Sequence, residues 1–432
     1  MFRPTRAALT VSVAALALLT VGAVFGLREP AQPGPRAVSV LPVDQRAKAI
    51  ERAQQRLRTL PGDYRTWAEL GSAYVEQARI TADPSRYPLA EAALRRSLAV
   101  KGNPDALTGL GALANARHDF AAAKAFAQQA LRANAFDAYA YGVLADAETQ
   151  LGNAQSATTA VQNMLDLRPG LAAYARGSYD LEQRGRLAEA ESMMRRALTA
   201  ATDPADIAFC RNQLGDLAWF RGNVAEASAQ YAAGLAIDPA YQPLLRGRAR
   251  IAAANAQFDA AVTDAAAVAT RTPTPETLME YAEYLRLAGR PAEATHQLTL
   301  AEAAHKLFEA NGGRDDLTAA QLALARGQVP EAVAAAQSEW RRRPFAEVAD
   351  ILAHTLHKAG RDAEALTFAQ KAVTQNPDNA AYAFHLAQIH LALGHRPEAR
   401  ALLTKVRALN PHFSATDAPI AAQALTELEA QP

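Results

Sequence analysis

An alanine recurs along this chain at a step close to 34 residues, and that period limits what the chain can fold into more than any single motif does. The ladder runs through Ala90, Ala123, Ala157, Ala190, Ala227, Ala261, Ala294, Ala332, Ala365 and Ala399, in steps of 33, 34, 33, 37, 34, 33, 38, 33 and 34 residues. In a chain rich in alanine this is weak support by itself, so two independent marks decide. A glycine stands five residues before the alanine at Gly152, Gly185, Gly222, Gly289, Gly327, Gly360 and Gly394, where a first helix would end in a tight turn. A proline stands twelve residues after it at Pro169, Pro239, Pro273, Pro344, Pro377 and Pro411, where a second helix would stop. Three marks in register describe two short antiparallel helices joined by a turn and copied along the chain. One such hairpin cannot bury its apolar face alone and must stack on its neighbours. The expectation is an all-α solenoid, with no unassigned stretch long enough for a catalytic domain.

The stretch 208–241 shows the unit most completely. A first helix carries Leu214, Gly215 and Ala218, a turn follows at Arg221-Gly222-Asn223, and a second helix sets Ala227, Tyr231 and Gly234 on one face before Asp238-Pro239. Positions three or four apart share a helix face, and the small residues let two backbones approach closely. Composition agrees: half of the residues are hydrophobic, yet only 6% are aromatic, and alanine is the best helix former. Lys and Arg number 45 against 44 Asp and Glu, so no broad basic field exists to neutralise a phosphate backbone, which argues against a nucleic-acid partner. Cys210 is the only cysteine, which excludes an internal disulfide and a thiolate metal pair, and it is expected as a small packed residue of a first helix.

These marks make the chain resemble the tetratricopeptide-repeat family over about residues 44–412. Trp67, Leu70, Gly71 and Tyr74 match the family's first-helix pattern, whereas the second copy has Leu107, Leu110, Gly111 and Ala114 in the corresponding places. The resemblance implies a right-handed superhelix of about ten helix pairs that acts as a binding surface for proteins or extended peptides. It also implies that first-helix side chains not used for stacking line a concave groove. The candidates are Asn212, Asp216 and Trp219, then Arg246 and Arg250, then Glu280 and Glu283. An aromatic platform flanked by a basic and then an acidic step would suit an extended peptide of mixed charge. The alternative is that Trp219 packs against the adjacent repeat while the charges pair with each other. The lysine and asparagine clamp of the family's chaperone-binding branch is absent, because Ala68, Ser72, Thr108 and Ala112 stand there.

Outside the repeats, Arg3 and Arg6 precede an uncharged run over 7–27, long enough as a helix to cross a hydrocarbon core of about 30 Å. Residues 1–27 are read either as a retained signal anchor or as a cleaved signal peptide. The positive-inside rule places the repeats outside the cytoplasmic membrane, with secretion following if the segment is cleaved. Gly22 and Gly26 form a G-x-x-x-G that could pair two anchors or mark only small residues near a helix end. Pro30, Pro33, Pro35 and Pro42 make 28–43 a semi-rigid spacer. Residues 44–59, with Ala49, Ala53 and Leu57 on one face, read as a half repeat covering the first pair. Longer steps place loops at 79–88 and at Asp203-Pro204-Ala205, and a bend near 311–313 after a long second helix through Ala303, Leu307 and Phe308. Residues 413–432 read as a capping helix that starts near Asp417 and Pro419 and packs through Ile420, Leu425 and Leu428.

Chemical motifs are few. The run 109–114 spells a dinucleotide fingerprint, but it falls inside a first helix instead of between a strand and a helix. No phosphate-loop lysine, H-E-x-x-H or G-x-S-x-G occurs, and no catalytic residue, cofactor or metal ligand is expected. His354, His357, His385, His390 and His395 cluster late and are the basis of an alternative reading as a metal-dependent sensor. Arg341-Arg342-Arg343, at the end of a second helix, is expected to complement the helix terminus and solvate the surface, or to form an anionic docking patch.

Overall fold

A computed structural model describes residues 43–430, and the run over 7–27, together with residues 28–42 of the spacer, lies outside the described residues. The described residues form α-helices and one 3-10 turn, with no strand among them. A lone helix α1 (Val43–Thr59) leads into α2 and α3 (Tyr64–Thr81, Tyr87–Val100), α4 and α5 (Pro104–Ala116, Phe120–Ala133), and α6 and α7 (Ala138–Gln150, Ala154–Leu167). The next pairs are α8 and α9 (Leu171–Glu182, Leu187–Ala200), α10 and α11 (Pro204–Phe220, Val224–Leu235), and α12 and α13 (Gln242–Ala254, Phe258–Arg271). The last are α14 and α15 (Pro275–Leu287, Pro291–Ala310), α16 and α17 (Asp316–Ala325, Val329–Arg342), α18 and α19 (Ala346–Lys358, Asp362–Gln375), and α20 and α21 (Ala380–Ala392, Arg396–Leu409), before α22 (Asp417–Ala430). This is a solenoid of ten helix pairs with a helix added at each end.

The marks seen in the sequence each have a structural cause. All ten ladder alanines are 0–1% exposed, because each sits where a second helix crosses its own first helix. Any larger side chain would force the pair apart. The seven turn glycines have φ between 71° and 79°. The repeats without that glycine keep the same left-handed turn, with φ of 58° at His118, 57° at Ala256 and 50° at Ala82. A residue with a Cβ is strained there. Ala256 is exposed, so Ala256→Gly should raise stability by about 1 kcal/mol, read as a higher midpoint in urea, whereas glycine elsewhere in a helix costs about that much. Polar caps start many of the first helices: Asp63, Asn103, Asp137, Asp203 and Asp315 each accept a hydrogen bond from a backbone N–H of the first turn that follows, and Asp119 does the same for the second helix α5.

Two pairs replace small-on-small packing with one large side chain set between two glycines. Tyr231 of α11 lies against Gly215 of α10 and Gly247 of α12, where an added Cβ would stand 2.3 Å and 2.5 Å from its ring. The Tyr231 hydroxyl donates to Asp216 at 2.8 Å, which holds the ring in place. Gly215→Ala should therefore destabilise by about 1–3 kcal/mol in spite of alanine's better helix propensity, measurable by thermal unfolding. Leu94 fills the same place between Gly71 and Gly109.

The coil is wound tightly enough that its second turn rests on its first. Arg117 Nε donates to the Asn311 carbonyl across 194 residues of sequence. Arg343 donates to the Gln150 side chain across 193 residues, Asn376 to the Glu182 carbonyl across 194, and Asn410 to the Trp219 carbonyl across 191. The near-constant offset places each turn between a first and second helix on the loop lying between five and six pairs later. The seam explains the irregular loop near 311–313: Phe308, at the end of the long α15, packs edge-on against Tyr87 and beside His118, and Arg314 N–H donates to the Arg117 carbonyl. It also corrects the reading of the arginine run. Arg343 is buried against Glu339 and Phe120, and Arg342 donates to the carbonyls of His118 and Arg314, so two of the three arginines latch the turns together and only Arg341 faces solvent.

At the ends, α1 buries Ile50, Ala53 and Leu57, with Ile50 taking the inward place expected of Ala49. α22 caps the last pair through Ala421, Leu425 and Leu428, whereas Ile420 is 41% exposed because the helix is rotated so that Ala421 meets the core.

Candidate functional site

The inner faces of the first helices carry polar residues that pair from one repeat to the next. Asp146 of α6 holds Arg176 of α8 through two hydrogen bonds of 3.0 Å, both side chains buried. Burial holds the Asp146 carboxyl above its ordinary value despite the arginine beside it. Asp216 of α10 accepts from Arg250 of α12 at 2.9 Å, and Arg246, one turn earlier on α12, donates to Glu280 of α14 at 2.7 Å. Farther along, Asp350 of α18 meets His385 of α20 at 2.9 Å.

All seven groove candidates lie on this wall and are brought together. They are occupied with one another. Asn212 donates to Asp216 at 2.9 Å, and Glu280 also accepts from the Tyr284 hydroxyl at 3.2 Å. Trp219 is 3% exposed, with the Arg250 guanidinium 5.8 Å from its ring and its carbonyl taken by Asn410 of the second turn. Glu283 accepts from Thr416 at 2.8 Å, again from the second turn. The geometry is that of the alternative named above for every charge but Glu283: Asp216 pairs with Arg250, Arg246 pairs with Glu280, and the tryptophan is packed. The later part of the coil lies against this wall at two places, with Asn410 at the Trp219 carbonyl and Thr416 at Glu283.

What remains open is a chamber of ≈ 140 Å³ between the turns. Its walls come from the ends of α8 and α10, the middles of α12 and α14, the starts of α18 and α20, and the loop from Asn410 to Ala415. Six carboxylates line it, from Glu182, Glu280, Glu283, Glu347, Asp350 and Asp378, against one guanidinium, Arg250, which is already held by Asp216. Three of the six have a basic partner: Glu280 has Arg246, Asp350 has His385, and Asp378 has Lys405 at 3.8 Å. Glu182, Glu283 and Glu347 lie within ion-pair distance of no basic group among the described residues. Burial, with Asp216 adding to it, pushes the Glu182 carboxyl up to about 8. Burial likewise takes Glu283 to about 8 against the lowering effect of Thr416, and takes Glu347 to about 8 against the opposing charge of Arg343. One Glu347 oxygen, Oε2, is fully buried and has no hydrogen-bond partner.

Glu182, Glu347 and Asp350 were not among the sequence candidates. Glu347 and Asp350 come from α18, two to four pairs beyond the candidates and five pairs beyond Glu182 of α8, and no periodicity within one repeat announces that meeting. A partial signal exists: eleven residues before the ladder alanine stand Asp146, Tyr179, Asp216, Arg250, Glu283 and His354, a polar row that marks the inner wall.

The five late histidines fall in three separate places. His354 and His385 have ring centres 4.5 Å apart, His357 pairs with Asp362 at 2.5 Å, and His390 faces His395 at 3.2 Å. Among the described residues no group of three or more His, Cys, Asp or Glu is placed to hold a metal ion. His354 is buried with neither ring nitrogen partnered, and burial followed by the neighbouring His385 pulls its pKa well below the ordinary value, so it is neutral. The Cys210 thiol is buried and pushed up to about 12 by that burial, which leaves it unreactive near neutral pH. Among the described residues no helix is long and apolar enough to cross a membrane.

Comparison with known proteins gives a family match over part of the chain. A family model described as Tetratricopeptide repeat matches residues 356–427, which spans α19 to α22. No curated protein matches. Among solved structures, a tetratricopeptide repeat protein from Parabacteroides merdae is 18% identical, covering 60% of this chain and 98% of its own, with a TM-score of 0.36. PilW, a type IV pilus biogenesis factor, is 19% identical over 47% of this chain and 94% of its own, with a TM-score of 0.39. Yeast Tom70 is 17% identical over 90% of this chain and 85% of its own, with a TM-score of 0.37. Likeness at this level transfers no function. Taken with the helix pairing, the match at the C-terminal end supports a tetratricopeptide-repeat protein whose described residues form one all-helical solenoid.

Proposed function

We propose that this chain is a non-catalytic interaction scaffold that receives part of a protein partner at the chamber inside its coil. The observation that carries this reading is the chamber itself, a walled space lined by six carboxylates, three of which have no basic partner among the described residues. An inner wall of buried, mutually paired charges is costly to build unless it positions something, and stacked repeats supply such positioning without any reactive group. The partner is a protein or peptide. It need not lie extended along the groove: what the chamber admits is a side chain or a chain end.

The apolar run 7–27 supports a tether to the cytoplasmic membrane, or export across it, with the repeats on the outer side. Protease added to intact protoplasts should then digest the C-terminus, and full protection would place the repeats inside. The binding reading is tested with the full-length chain as bait. A partner retained by the native chain should be lost on Glu283→Gln at the chamber wall while the melting temperature stays within a few degrees. Retention that is indifferent to substitutions at Glu182, Glu283 and Glu347 would move the binding surface elsewhere.

A further inference from the structure

We infer that the chamber is a receptor for a primary alkylammonium group, with Glu347 as its anchoring carboxylate and Glu182 and Glu283 closing around the same cation. Glu347 is 6% exposed, lines the chamber, and has a buried oxygen with no partner among the described residues. An acceptor left unsatisfied at that depth costs free energy that a donor from outside would recover. Glu182 at the end of α8 and Glu283 in α14 are half-buried, line the same space and have no basic partner.

The shape and chemistry of the walls narrow the donor. The three carboxylates come from three helices, α8, α14 and α18, of the fourth, seventh and ninth pairs. An ammonium directs three donors apart from one point, whereas a guanidinium presents a flat fork suited to one carboxylate. A bare metal ion fits less well, because it needs several oxygens at about 2.0–2.6 Å at once and no such group occurs among the described residues. The wall also carries aromatic rings, among them Trp219, Tyr382 and Phe413, beside aliphatic and amide side chains, which suits both an alkyl stem and a cation. A chamber of ≈ 140 Å³ is close to the ~150 Å³ cavity that admits benzene, so a stem of about four carbons fits. Because Glu182, Glu283 and Glu347 are each pushed up to about 8 by burial, entry of a cation would return them to the ionised form.

A lysine side chain of a protein partner and a free diamine share this chemistry, and the lysine source rests on the scaffold reading above. The test uses the full-length chain at pH 7, with titration calorimetry and thermal shift against n-butylammonium, 1,4-diaminobutane and an end-blocked peptide carrying one lysine. Butyrate and tetramethylammonium, which has no N–H donor, serve as controls. Binding and a higher melting temperature are expected with n-butylammonium and with the peptide but not with the controls. Glu347→Gln should weaken binding by about tenfold or more with an unchanged helical spectrum. Should that variant misfold, the half-buried Glu182→Gln and Glu283→Gln give the same comparison. Binding of n-butylammonium and 1,4-diaminobutane without the peptide would keep the receptor and overturn the lysine source. Absence of binding by every amine, binding equal to that of tetramethylammonium, or full affinity in these variants would overturn the receptor, even if a protein partner is still captured.

Discussion

Arg343→Ala should destabilise this protein by about 3 kcal/mol or more, an unusually large effect for a residue at the end of a helix. Arg343 is 1% exposed and its guanidinium is shared between Glu339, which is 0% exposed, and the side chain of Gln150 in the other turn of the coil. Phe120 of α5 lies under it at 5.2 Å. Truncation leaves the Glu339 carboxylate with Arg342 alone, removes the donor to a buried amide, and opens a hole at the seam. Urea unfolding measures the cost. Arg341→Ala is the control: Arg341 is exposed two positions away in the same run, and its removal should change stability by no more than about 0.5 kcal/mol. In an open solenoid the two substitutions would differ little, since the ends of successive pairs would not meet.

Melting temperature should fall as pH rises from about 6.5 to about 8. The sign follows from which state holds the protons. Glu182, Glu283 and Glu347 have an ordinary value of 4.5 and are pushed up to about 8 in the fold, so above 4.5 the unfolded chain releases protons that the folded chain keeps. Their contribution to stability is complete below 4.5 and is lost as pH climbs towards 8. For the well-buried Glu347 the slope is about 1.4 kcal/mol per pH unit while it lasts. The groups that set these values are Asp216 beside Glu182; Thr416, Asp417, Glu280 and Arg286 around Glu283; and Arg343, Asp315, Asp350 and Glu339 around Glu347. His385, lowered by burial but raised on balance by Asp350, adds a loss of the same sign above 6.5. His354 works in the opposite direction, because it is held neutral in the fold and destabilises as pH drops below 6.5. A scan of melting temperature between pH 6.5 and 8 avoids the opposing effect of His354, and the Glu182→Gln variant separates the carboxyl contribution from that of His385. Glu182→Gln should raise the melting temperature at pH 8 and flatten the slope, and a flat profile in the native chain would remove the acidic chamber's energetic signature.

The pairing of helices was legible in the sequence because it depends on neighbours in the chain. The ladder alanines, the turn glycines and the stop prolines each answer a constraint inside one hairpin or between adjacent hairpins, where spacing is fixed by helix geometry. The same is true of Arg246 with Glu280 and Arg250 with Asp216, which are one repeat apart and face each other on the inner wall. What the period does not encode is how tightly the stack coils. That follows from small rotations summed over five to six pairs, and from seam residues such as Arg343, Asn376 and Asn410 whose partners lie about 190 residues away. Arg343 reads as a solvated helix end from its neighbours alone, and Trp219 reads as a groove platform. Only the second turn makes the first a buried latch and the second part of a packed wall.

The coiling itself can be measured by placing spin labels on cysteines at Gln155 and Arg341, both exposed, on either side of the place where Gly152 meets Pro344. Native Cys210 is fully buried and should not compete for label. Dipolar spectroscopy on the full-length chain should give a narrow distribution at short range, set by the tethers of the two labels. A separation of roughly 50 Å, as five to six stacked layers at about 10 Å each would give, would mean that the stack is open and that no chamber forms between its turns.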